Sequence, residues 1–195
     1  MTFKFALAAS AACLALSACN SSNGSSGALT SAEAQNIDAT YSDYQARIDD
    51  GSLTTTTPTG QASMSGYMGV SGVNPEDPTT TVLGELAMDV DFDAGTLTGK
   101  GSSFGIYSGD VLTKETDVTG SLDVAGTVSG SDMAATATGT MSDGSSPGAD
   151  FALDMNGSFY DDAGTLTAVG DVSGTMTDAG SEPVNVTGNY YATEN

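Results

Sequence analysis

Apolar residues recur at every second position through most of this chain. In 151–159, Phe151, Leu153, Met155, Gly157 and Phe159 alternate with polar Asp154, Asn156 and Ser158. After Asp161-Asp162-Ala163-Gly164 the alternation resumes in Leu166, Ala168, Gly170, Val172, Gly174 and Met176. Period two around an Asp/Gly turn predicts an antiparallel hairpin with one apolar face. Residues 86–99 repeat the design, sharing the string DAGTLT.

Extended along the chain, the same pattern gives eight strands. They are 60–70, 82–92, 96–107, 117–128, 132–141, the two arms of the 151–176 hairpin, and 184–192. The third changes phase, with Leu97 on odd numbering and Phe104 and Ile106 on even, which calls for a bulge within 99–103. Met64, Met68, Met88, Met133, Met141, Met155 and Met176 all fall on the apolar faces, as pliable core filler. Thr, Ser, Asp and Asn fill the other faces and are expected to meet water. Eight such strands close into an all-β, up-and-down antiparallel barrel without open edges, and a two-sheet sandwich is the alternative. Frequent inward Gly and Ala predict a narrow interior with little room for a ligand. Connections 71–79, 108–116, 142–148 and 177–183 are long, whereas 93–95, 129–131 and 161–164 are short. Long loops therefore gather at one mouth, where binding function tends to reside. Both termini are expected at the opposite, tight-turn end.

Before the barrel the period changes. Thr30-Ser31-Ala32-Glu33 fits a capping box, and Ala34, Ile37, Tyr41, Tyr44 and Ile48 follow at spacings of three and four. They predict an amphipathic helix over 31–49, stopped by Gly51 and covered on one side by the barrel's surface or mouth, or else by a partner. Asp49 and Asp50 oppose the helix dipole, so that end is expected to fray.

Residues 1–18 are not fold. Lys4, the apolar run 5–16 and the small residues Ser17 and Ala18 before Cys19 make a secretory signal peptide, and LSAC resembles the lipobox of bacterial lipoproteins. That resemblance implies an acylated Cys19 as lipid anchor, and Asn20 after it implies the outer membrane. Residues 20–27 (NSSNGSSG) are a flexible tether. The expected organisation is signal peptide 1–18, lipidated tether 19–29, helix 30–51 and barrel 60–195.

Composition narrows the chemistry. The chain has 25 acidic and four basic residues, a net charge of −21, which excludes nucleic acid as partner. It contains no histidine, which removes the commonest general base and metal ligand, and the serines have nothing to activate them. Past Cys19 there is no cysteine for a disulfide or thiolate site. Asp89, Asp91 and Asp93 open like an EF-hand loop, but Ala94 and Lys100 stand where Gly and Glu are required. Asp161 and Asp162 read as turn chemistry. Tyrosines 107, 160, 190 and 191 are the side chains left for haem ligation. No enzyme, cofactor or metal site is expected.

Two stretches carry a family resemblance. Met88-Asp89-Val90-Asp91-Phe92 followed by Gly95-Thr96-Leu97-Thr98-Gly99 resembles the VDF…TLSG hairpin of the transferrin-binding protein B family. Gly157-Ser158-Phe159-Tyr160 with Ala163 and Gly164 is similar to its GxFYG…A…GG segment, and Gly188-Asn189-Tyr190-Tyr191-Ala192 to its last strand. The likeness spans about 60–195. It implies a barrel on an outer-membrane surface lipoprotein that binds host or environmental proteins, often for iron or haem capture, and that often needs a translocator to reach the outside. Asp161 replaces a glycine of the pattern, and one barrel stands where full-length members have two lobes and handle domains. No binding residue carries over. The expectation is a non-enzymatic binding module held to the membrane by its lipid, with a protein partner. A lipocalin-like carrier of a small apolar ligand and a passive envelope coat protein are the alternatives.

Overall fold

A computed structural model describes residues 27–144 and 147–195. The expected signal peptide, the Cys19 anchor and most of the tether lie outside the described residues. Helix α1 runs Ser31–Asp49. The strands are β1 (Thr54–Thr55), β2 (Gln61–Ser71), β3 (Thr81–Asp91), β4 (Thr96–Ser108), β5 (Thr113–Asp117) and β6 (Thr119–Gly120). They continue with β7 (Leu122–Ser129), β8 (Asp132–Ser142), β9 (Ala149–Asp162), β10 (Thr165–Asp178) and β11 (Val184–Glu194). Neighbours pair antiparallel in chain order, and β11 returns to β2 with Thr187 opposite Ser71 and Glu194 opposite Met64. The sheet is a closed eight-stranded barrel, in which β5, β6 and β7 together form the fourth strand.

Side-chain phase follows the alternation. The seven methionines of the strands are all buried, the most exposed being Met176 at 8%. The middle of the barrel is filled by Met64, Leu86, Leu97, Phe104, Met155 and Tyr190, each at most 2% exposed. Phe92 and Phe159 meet edge to face, 5.1 Å apart, at the tight-turn end. The phase change in β4 is a bulge: Leu83 faces Gly105, but Glu85 faces Ser102. Ser103 is the extra residue, at φ 54°. It turns Phe104 inward onto Gly84, where a Cβ would lie 2.4 Å from the ring.

Two expectations about strands and loops change. The fourth strand is broken: β5 pairs only with β4, β6 only with β8, and β7 with both. The β4–β5 hairpin also climbs into the region expected to be a long loop, leaving only residues 109–112 as its turn. Thr113, Lys114, Glu115 and Thr116 are polar on both faces, so the alternation that marks the other strands is missing there.

The outer face is not uniformly wet, as expected from its Thr, Ser and Asp. Tyr107, Tyr160, Tyr191, Leu83 and Val169 point outward and are buried under α1, with Ala34, Ile37 and Tyr44 pressed on them. Tyr44 and Tyr191 lie 5.5 Å apart between ring centres. Burial of side chains this size contributes roughly 1.5–3 kcal/mol each, so the barrel's own wall covers the helix stripe. The capping box forms at Thr30 and Glu33. The helix C-terminus, expected to fray, is tied down. Arg47 donates to both carboxylate oxygens of Asp162 in β9, at 3.0 Å for Nη1 to Oδ2, while Asp50 accepts from the Ser52 amide at 2.8 Å. Of the two turn aspartates, Asp161 caps the Gly164 amide at 2.8 Å, and Asp162 is left for the helix.

The path of α1 corrects the placement of the chain's start. The barrel's own ends, Gln61 and Glu194, do lie at the tight-turn end. The helix, however, begins near the long loops, where Gln35 donates to the Val111 carbonyl at 2.7 Å, and descends the outer wall to the Asp162 turn. Ala28 sits beside the upper part of β5, its amide on Asp117 at 3.2 Å and its carbonyl accepting from Lys114 Nζ at 2.9 Å. The described chain therefore enters the fold at the mouth end. Residues 50–60 then lead from the foot of the helix past β9 to the start of β2.

Candidate binding site at the barrel mouth

At the loop end the inward positions stop before the barrel is filled. The last rungs set Val82 opposite Ile106 and Met176 opposite Phe151. With Val118 and Met141 they form the apolar floor of an open cup of about 710 Å³. The loop 72–80 contributes Val73, Asn74, Asp77 and Thr80, and Asp143 and Pro147 add to the lining between β8 and β9. The broken fourth strand forms one side: β6 carries the pairing to the end of β8, with Thr119 opposite Ser142 and Gly120 opposite Met141, and Glu115 and Val118 from the chain before it line the cup together with those two β8 residues.

Among the described residues four carboxylates ring the opening: Asp77, Glu115, Asp143 and Asp178. Asp77 accepts from the amide and hydroxyl of Thr79, at 3.0 and 2.6 Å, which holds its carboxyl below the usual range. Glu115 accepts from the Ser108 hydroxyl. Among the described residues no basic side chain lines the cup. Arg47 pairs with Asp43 and Asp162, Lys100 with Asp123, and Lys114 with Asp117, so every described cation is engaged on the outer wall.

The residues singled out from sequence lie elsewhere. Asp89 accepts from Ser63, Asp91 from Gln61 and the Ala94 amide, and Asp93 from the Gly60 amide, so the EF-hand-like trio serves strand and turn. Among the described residues no group of three or more acidic, His or Cys side chains is placed to hold a metal. Tyr107, Tyr160 and Tyr191 are under the helix and Tyr190 is in the core; none reaches the cup. Burial beside Asp117 and Glu33 pushes the Tyr107 hydroxyl up to about 12, and it donates to the Leu29 carbonyl at 2.6 Å. The cup itself escaped the sequence reading. Its floor residues obey the same alternation as the core below, and the alternation does not mark where the packed interior ends. No family model matches the chain, and no curated protein matches it.

Proposed function

We propose that this chain is a non-enzymatic binding module of the bacterial cell surface, held in the outer membrane by an acylated Cys19, with its ligand seated in the mouth cup. The cup carries the reading: concave, apolar-floored sites of 300–1,000 Å³ with a few polar groups at the rim are how proteins take small ligands, and this one measures about 710 Å³. The lipobox, the barrel and the resemblance to transferrin-binding protein B support the same class. Haem fits the site poorly, because its anionic propionates would meet four carboxylates. Gly27 is the eighth residue after Cys19, a reach of no more than about 30 Å, and Gly27 adjoins the mouth end. An acylated Cys19 would thus keep the mouth near the bilayer, reached more easily by a solute than by a large protein.

A second reading, carriage of a small ligand in the manner of a lipocalin, draws on the same apolar floor. The packed middle of the barrel confines any such ligand to the mouth. Surface display is tested with Ser181→Cys in the β10–β11 loop, an exposed site in a chain with no other thiol once the signal peptide with Cys13 is removed and Cys19 is acylated. A membrane-impermeant maleimide is expected to label it on intact cells, whereas labelling only after lysis defeats the surface assignment.

A further inference from the structure

We infer that the mouth cup selects a small organic cation carrying an apolar body. This rests on the reading of the chain as a binding module and names the chemistry its site accepts. Two independent features of the cup point the same way. Its floor, with Phe151, Met141 and Met176, offers apolar surface, and thioether side chains adapt their shape to what they cover. Its rim carries Asp77, Glu115 and Asp178, with no lysine or arginine among the described residues that line it.

Charge complementarity then decides between ligands of equal size. An anion entering the cup meets like charge at the rim and from the whole chain, net −21. A cation meets attraction, strongest where the low-dielectric floor and walls focus the field. A small inorganic cation gains nothing from the apolar floor. It also finds no cage, because Asp77 is turned back onto Thr79 and Glu115 onto Ser108. A neutral apolar molecule gains from the floor alone. The best occupant places its hydrocarbon or aromatic part on Phe151 and the methionines and its ammonium level with the carboxylates. A quaternary ammonium is suited to such a place, since it needs no directed hydrogen bonds and is attracted to an aromatic face.

The test uses the full chain labelled with carbon-13 at the methionine methyls. Met141 and Met176 line the cup, and the buried Met64, Met88 and Met155 below serve as internal controls. The probes are hexyltrimethylammonium, heptanoate and tetramethylammonium. Hexyltrimethylammonium is expected to shift the Met141 and Met176 methyls saturably while the controls stay still, and to bind at least about tenfold more tightly than either other probe. Neutralising the rim with Glu115→Gln and Asp178→Asn together, neither of which removes a core side chain, is expected to weaken it by about tenfold and to flatten its salt dependence. Equal binding of heptanoate overturns the inference and leaves the cup as an unselective apolar site, with the binding-module reading intact. Equal binding of tetramethylammonium removes the role of the floor and likewise overturns it. No shift at either methionine with any probe overturns the inference and removes the cup as the site of the binding module. The Ser181→Cys labelling stays independent of all three results.

Discussion

Tyr190 shows how a single inward position is settled. Its ring lies on the barrel wall across two glycines that face one another, Gly157 and Gly170. A Cβ at Gly157 would stand 2.3 Å from the Tyr190 hydroxyl, and one at Gly170 2.7 Å. The glycines that make the interior look narrow in sequence are thus the floor on which the tyrosine rests, a ring filling space that two side chains would otherwise share. The hydroxyl has no hydrogen-bond partner, and burial raises its pKa. An unsatisfied buried hydroxyl costs about 1–3 kcal/mol. Tyr190→Phe, which keeps the ring, is therefore expected to stabilise the protein by about 1 kcal/mol, read as a higher urea midpoint at unchanged slope. Gly157→Ala, which drives a methyl into the ring and the Val169 carbonyl, is expected to cost about 1–3 kcal/mol or more. A lower midpoint for Tyr190→Phe shows that the hydroxyl is satisfied by bound water, and the argument from an orphaned group then fails.

At the scale of elements, α1 is the piece that local sequence predicts best and places worst. Its cap, length and stripe are local facts, carried by Thr30, Glu33 and the spacing of Ala34, Ile37 and Tyr44. Its bed is not local. Tyr107, Tyr160 and Tyr191 sit in three strands far apart in the chain, at positions that the alternation assigns to water. Only the closed sheet brings them side by side. Strand phases were legible for the opposite reason, because a residue's face depends on its neighbours one and two positions away. The cup was illegible because it lies where the inward packing of the closed barrel ends, which no local pattern records. The helix's lower end offers a test. Arg47 beside Asp162 holds that carboxyl below its ordinary value of 3.8. A carboxyl depressed in the folded state contributes stability at pH values above its unfolded pKa and loses it as pH falls through the folded one. Both side chains are partly exposed, 30% and 25%, so the contribution is modest. Asp162→Asn is expected to lower stability by about 1 kcal/mol at neutral pH. The gap between it and the parent is expected to close as the pH falls below 3.8 and through the lowered value of Asp162. Denaturation curves of the two proteins across that range check it; a gap that persists in acid assigns the loss to packing rather than to the ion pair.

For the whole molecule the problem is how a barrel wall carries a net charge of −21 and still closes. The ladders answer it by placement. Asp89 faces Ser63 and Thr98, Asp154 faces Thr136 and Ser173, and Asp150 faces Thr140 and Thr177. Among the described residues no cross-strand pair sets acid against acid. Several of the facing groups donate directly, as Ser63 does to Asp89 at 2.6 Å and Ser158 to Asp132 at 3.0 Å. The ladder carboxylates thus face neutral groups, or Lys100 in the case of Asp123, where directly opposed like charges would destabilise. What remains is longer-range repulsion, which salt screens over about 10 Å at 0.1 M and 3 Å at 1 M. Thermal midpoints are therefore expected to rise with added NaCl and then level off. Thr98→Asp breaks the rule by setting a second carboxylate opposite Asp89. It is expected to cost about 0.5–1 kcal/mol at low ionic strength, most of it recovered near 1 M NaCl, whereas Thr98→Asn carries the same loss of a β-branched side chain without the charge. Equal, salt-independent costs for the two variants trace the loss to strand propensity, and the alternation of acids with hydroxyls then has no electrostatic role in keeping the wall closed.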